Sequence, residues 1–395
     1  MKIKRLFISF LLVLSLAIPQ VSFAYKNFYD NIDGKINDLQ QVVSDSGELA
    51  AATTSITISN LDGDTDMEYE LIVRGVRNEA VSANLLLYIQ PNGDTTAGNY
   101  GIQSINGTNA TASAYRDTTN YQGFATGLGF LYNVTGQVGF SHWIINAKSG
   151  YVRTAIGKEM TRTNGTTVNA IVLSGCSWNN TANNITSLVV ASDTANGLGI
   201  GSRIILLRKV NATTGKKYYE DMNIKGLVKN AWQEVTRGTL TGAATSATIS
   251  NLTGNTDVLY RLRTRTVNAY NGSSSILLRP NNDSTADIYG YQQLYGGNTT
   301  VGAARGTLTW IYAGYCTGLN AVSQADILLY VKSGYVRTGL VEVSDQSGTT
   351  VSYVMMFGQS WNNTADEITS LVIVHPQTNG LGVGTFYVLE RLNLN

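Results

Sequence analysis

Histidine and cysteine are almost missing from this chain, which holds two of each among 395 residues. A nucleophile–histidine triad or a multi-histidine metal centre needs histidines placed together, so the isolated His142 and His375 argue against both. Cys176 and Cys316 cannot make a disulfide framework, and whether they pair with each other is left open by the sequence. An apolar core must therefore carry the stability. Charge is thin and balanced, with 28 Lys and Arg against 27 Asp and Glu. No basic face emerges, which argues against nucleic acid as a partner. No glycine-rich loop follows a strand and opens a helix, so nucleotide chemistry has no support. Beyond the first residues, no apolar run approaches the roughly 20 residues of a membrane span.

What stands at the start reads as an address. Lys2, Lys4 and Arg5 precede an apolar run from Leu6 to Ile18, and Ser22-Phe23-Ala24 places small residues at the −3 and −1 positions of a signal-peptidase site. Residues 1–24 are thus expected to be a signal peptide. Without its three cations the formal net charge falls from +1 to −2. The mature chain is expected to be secreted, without membrane insertion, and located extracellularly on a cell surface or virion.

The remainder is written twice. SGYVRT at 149–154 returns at 333–338, SWNNTA at 177–182 returns at 360–365, and ITSLV at 185–189 returns at 368–372. ISNLDGDTD at 58–66 corresponds to ISNLTGNTD at 249–257, Pro91-Asn92 to Pro280-Asn281, and NGLG at 196–199 to the same letters at 379–382. The spacing between matched blocks drifts, as loops of unequal length joining equivalent strands would make it. Two domain-sized copies follow, 25–212 and 213–395. Each carries a complete strand set, so 213–395 is expected to fold alone.

Within each copy, short β-branched runs alternate with clusters of Gly, Asn, Asp, Ser and Thr. Arg261, Arg263 and Arg265 alternate with Tyr260, Leu262 and Thr264, a period of two that puts the arginines on one face of a strand. The best helix candidate is Asn31 to Val43. The fold class expected is all-β, two tandem jelly-roll-like β-sandwich domains after the signal peptide.

Duplication offers an internal test, because a site of the original domain should persist in both copies. No catalytic residues emerge from it. The matched acids, Asp66 with Asp257, Asp94 with Asp283, and Glu159 with Glu342, give a two-carboxylate glycosidase little support, since two of the pairs sit in turns. Retained in both copies are Trp178 and Trp361, Tyr151 and Tyr335, and Arg153 and Arg337. These form the candidate ligand-binding set. The tryptophans could stack on a sugar ring or plug one end of a sandwich core, and the core reading is favoured. Asp62, Asp64 and Asp66 resemble the start of a calcium loop, with an Asx-rich turn as the favoured alternative because the second copy keeps one carboxylate of the three. No other cofactor is expected.

The succession WQEV at 232–235, ATISNLTGNTDVLYRL at 247–262, ILLRPNNDSTADIYGY at 276–291, WNNTADEITSLVI at 361–373 and NGLGVGTFYVLERL at 379–392 resembles a β-sandwich domain of bacteriophage tail-fibre and virion-surface proteins. Copy one follows the same order. The resemblance implies a non-enzymatic virion or cell-surface protein that engages a glycan or another envelope component, with homo-oligomers as further partners. The alternatives are a purely structural self-assembling surface protein and a secreted carbohydrate-active enzyme.

Overall fold

The computed structural model describes residues 40–394 apart from 82–83, 126–129, 132–135, 164, 210–230, 298–299 and 349. The expected signal peptide and the expected boundary between 212 and 213 lie outside the described residues.

All-β architecture follows from the alternation in the sequence. The first half builds β1 (Gln40–Asp45), β2 (Ser55–Ser59), β3 (Glu68–Val76), β4 (Leu85–Pro91), β5 (Tyr100–Thr108), β6 (Thr111–Asp117), β7 (Phe130–Leu131), β8 (Val138–Asn146), β9 (Arg153–Arg162), β10 (Val168–Trp178), β11 (Ser187–Ser192) and β12 (Arg203–Lys209). Eight of these form one sheet in the order β1-β12-β3-β8-β9-β10-β5-β6, and four form a second, β2-β11-β4-β7. From β1 to β5 the chain alternates between the sheets, and it alternates again from β10 to β12, the winding of a jelly roll.

The second half repeats this with β13 (Trp232–Thr239), β14 (Ser246–Ile249), β15 (Leu259–Val267), β16 (Ser274–Pro280), β17 (Tyr289–Gly297), β18 (Thr300–Leu308), β19 (Ile311–Cys316), β20 (Val322–Tyr330), β21 (Arg337–Ser347), β22 (Thr350–Trp361), β23 (Leu371–Val374) and β24 (Phe386–Leu392). Its sheets run β13-β24-β15-β20-β21-β22-β17-β18 and β14-β23-β16-β19. Two single-turn helices, α1 (Gly63–Asp66) and α2 (Gly254–Asp257), occupy equivalent places. The helix expected over Asn31–Val43 is corrected in its described part: from Gln40 onward the chain is β1, paired antiparallel with β12.

Each half has its own core between its large and small sheets. Tyr69, Leu71 and Val73 of β3 point into one, while Tyr260 and Leu262 of β15 point into the other. A third apolar cluster joins the halves. It uses the opposite faces of the two large sheets: Ile72, Phe140, Met160, Ile171, Ile205 and Leu207 from the first half meet Leu259, Leu294, Leu328, Tyr330, Leu340 and Met356 from the second. The strands of both large sheets are therefore buried on both faces, which is why Tyr69–Arg74 reads as buried at every position. The backbones approach closely at glycines, since a Cβ on Gly358 would stand 2.4 Å from the Cβ of Met160. A fragment 213–395 would leave the apolar face of β20–β22 uncovered.

The free cysteines belong to different halves. Cys176 lies in the first core and Cys316 in the second, and burial pushes both thiols up to about 12.

Candidate functional site

Trp178 and Trp361 end β10 and β22, and both rings are 0 % exposed. Each indole Nε1 donates to a turn aspartate, Trp178 to Asp94 Oδ2 at 2.8 Å and Trp361 to Asp283 Oδ2 at 3.2 Å. Burial alone would raise the Asp94 carboxyl. The bonds from Trp178, Thr96 and Asn99 outweigh it and hold the group below the usual carboxylate range. Above the rings sit Arg153 and Arg337, their guanidinium carbons 5.3 and 5.1 Å from the ring centroids. Arg153 donates to the carbonyls of Asn180 and Asn183, and Arg337 to that of Asp366, so each arginine pins the loop that follows its tryptophan. Neither indole has a face open to a ligand.

The tyrosines of the set part company. Tyr151 is 70 % exposed. Tyr335 lies in the junction, where Arg74 of the first half stacks 4.3 Å from its ring centroid and 5.0 Å from that of Tyr330.

The three aspartates of the calcium reading serve separate partners. Asp62 caps α1 and accepts from the Thr65 hydroxyl at 2.7 Å and from Asn184 Nδ2 at 2.8 Å, bonds that hold its carboxyl below the ordinary range. Asp64 accepts the Ser149 amide at 2.6 Å. Asp66 is buried, accepts from Tyr69 Oη at 2.8 Å and faces Arg208 at 3.2 Å. Donors already occupy these oxygens, and a neighbouring guanidinium does not fit a bound cation. Among the described residues no group of three His, Cys, Asp or Glu side chains could hold a metal ion.

A large concavity lies elsewhere, at the junction of the halves. It is an open groove of about 730 Å³ whose floor is the outer face of β20–β22, with Val354, Met356, Leu294 and Val301 exposed or lining it. Ile105 and Leu173 of the first half form the opposing wall. Val301 and Val354 are 67 % and 59 % exposed, the accessible apolar surface of a binding groove rather than of a core.

Most charged groups around this groove are matched, the exception being the exposed Arg265, which among the described residues donates only to the Gly384 carbonyl at 3.3 Å. Arg263 pairs with Glu390 at 2.9 Å, Glu342 with Lys158 at 2.8 Å and Asp326 with Arg261 at 2.7 Å. Deeper between the sheets, Glu70 bonds His142 at 2.7 Å. Burial works to raise the Glu70 carboxyl, but His142, Arg261 and Gln40 prevail and hold it low.

Sequence reasoning weighed only Glu342 of the groove residues for chemistry, as a matched acid, and placed none of them in a binding site. It searched for identities between the copies, whereas the groove forms where they differ. Ladder register makes Arg263 the counterpart of Ile72 and Gln324 that of Phe140. Ile72 and Phe140 are covered in the junction core, while Arg263 and Gln324 line the open groove. Register also corrects one matched pair of acids. Glu342 stands five residues beyond Arg337, as Lys158 does beyond Arg153, so its counterpart is Lys158 and not Glu159.

Neither a protein-family model nor a curated protein matches the chain. Among solved structures it shows faint similarity to mouse laminin α1 chain domains LG4–5, with 9 % identity over 87 % of this chain and 91 % of that one, at a TM-score of 0.16. The LG1–3 region of the laminin α2 chain is similar at 8 % identity over 86 % and 64 % of the two chains, with a TM-score of 0.18. A putative oleoyl thioesterase from Lactobacillus plantarum follows at 7 % identity over 68 % and 78 %, with a TM-score of 0.12. Similarity at this level carries no functional argument. No helix among the described residues is long and apolar enough to cross a membrane.

Proposed function

We propose that this protein is a non-catalytic recognition component of an extracellular surface, a phage-like virion or a bacterial cell surface, and that it contacts a glycan or another envelope component through the junction groove. The observation that carries this reading is the groove itself: a fixed, apolar concavity built jointly by both halves. Apart from Arg265, its surrounding charges are paired within the protein, so it suits a largely uncharged ligand face, such as the apolar face of a sugar ring with a polar group toward that arginine. The motif order, which resembles that of phage sandwich domains, and the leader-like start support an exported surface role. Asp326 and Glu342 stand directly opposite each other on β20 and β21, yet each is held in an ion pair, the arrangement of structural carboxylates rather than of an acid and a nucleophile.

The test is binding to an array of purified envelope polysaccharides and to vesicles of envelope lipid, with Val354→Arg and Tyr151→Ala compared with the parent protein. Val354→Arg should abolish binding while Tyr151→Ala leaves it intact. Loss with Tyr151→Ala alone would move the contact to the exposed tyrosine, and an array with no binder would leave self-assembly as the better reading.

A further inference from the structure

The junction brings equivalent strands of the two halves together in an arrangement offset from an exact twofold. β10 packs on its own counterpart β22, β9 on β21, β5 on β17 and β6 on β18, while β10 also packs on β17, β9 on β22 and β5 on β18, so equivalent surfaces meet with a sideways offset. Lys158 and Glu342, which occupy equivalent positions, bond each other across it at 2.8 Å.

The charges at equivalent positions are inverted. Register aligns Glu70 with Arg261, each opposite the strand neighbours Ile144 and Leu328. It aligns His142 with Asp326, opposite Lys158 and Glu342 respectively. The first half thus presents a basic cross-strand pair, His142 and Lys158, beside an acid, Glu70. The second presents an acidic pair, Asp326 and Glu342, beside a base, Arg261. All six line one cavity of about 200 Å³ between the sheets.

We infer that these inverted charges make each half the specific partner of the other and exclude pairing of like with like. Two first halves would set Lys158 against Lys158, with the His142 positions alongside. Two second halves would set Glu342 against Glu342 next to both Asp326 carboxylates. Like charges directly opposed are destabilising, and interfaces use such clashes to reject wrong partners. The shared apolar cluster gives the junction its strength. The charges choose which faces meet, so that neighbouring chains, crowded on a surface, do not exchange halves with the wrong partner.

The test uses the full chain with Lys158→Glu, Glu342→Lys and the double exchange, melted at low and high salt. Each single reversal should lower the midpoint by about 3 °C at low salt, with part of the loss recovered at high salt as repulsion is screened. The double exchange should return to within about 1 °C of the parent. Losses that simply add in the double variant, or single losses that salt does not relieve, would overturn the inference. Should a reversal fail to fold, Lys158→Gln and Glu342→Gln supply the same cycle, with the double loss expected to be no larger than either single one.

Discussion

Replacing Trp361 by alanine removes the largest buried ring of the second half together with three attachments. The ring is 0 % exposed, lies stacked on Tyr289 with centroids 6.2 Å apart and an interplanar angle of 14°, and carries Arg337 above it at 5.1 Å. Its Nε1 also satisfies Asp283 at 3.2 Å. Truncating a ring buried this completely costs about 3–5 kcal/mol. The upper part of that range applies here, because Arg337 and Asp283 stay behind in the cavity with fewer partners. Because the two halves share a core and should melt together, each kcal/mol moves the melting midpoint of the full chain by about 1–2 °C, so a fall of about 5–8 °C is expected. Trp361→Phe keeps most of the volume and loses the Asp283 bond, and should cost about 1–2 kcal/mol. The assay is thermal unfolding of the full chain followed by circular dichroism. A midpoint for Trp361→Ala within about 2 °C of the parent would refute the placement of this ring as a core plug.

Two further outcomes follow from particular groups. Glu48 bridges the halves through Arg203 on one side and Tyr330 and Lys332 on the other. Burial raises its carboxyl, but these partners outweigh it and hold the group at about 2. A depressed carboxylate stabilises the fold fully above its unfolded pKa, so up to about 3 kcal/mol should be lost as pH falls from about 5 toward 2. Glu48→Gln should flatten that slope in pH-dependent urea titrations, and an unchanged slope would contradict it. Met67 holds φ at 63° with ψ at −36°, outside the αL basin that asparagine favours, while 47 % exposed, so Met67→Gly should raise stability by about 0.5–1 kcal/mol. The equivalent Val258, at φ 64° but buried, should lose stability on the same change, and a melt of both variants separates the two cases.

The repeated asparagines show what was legible in the sequence. Asn60 and Asn251, Asn92 and Asn281, and Asn196 and Asn379 all occupy left-handed backbone positions, so the copies agree where a turn needs that conformation. Asn92 Nδ2 also donates to the Asn184 carbonyl while its Oδ1 accepts the Thr186 amide, and Asn281 repeats this with Glu367 and Thr369. Matched motifs thus report strands, turns and plugs, and they led correctly to an all-β class. The same logic could not find the junction. Leu328, Leu340 and Met356 read as ordinary alternating strand residues, and nothing local says that the face away from the small sheet is also covered. The charge inversion at Lys158 and Glu342 was hidden further by a one-residue slip in aligning the acids, which only ladder register resolves.

The proposal of a jointly built groove depends on the two sandwiches being one body, and calorimetry of the parent chain beside Gly358→Leu tests this most directly. The shared core predicts a single cooperative transition for the parent. In Gly358→Leu a side chain must enter where a Cβ already stands 2.4 Å from that of Met160, so the sheets should part and the transition should fall and divide in two. A parent chain that already melts in two separate steps, or a Gly358→Leu variant that melts as the parent does, would contradict the account.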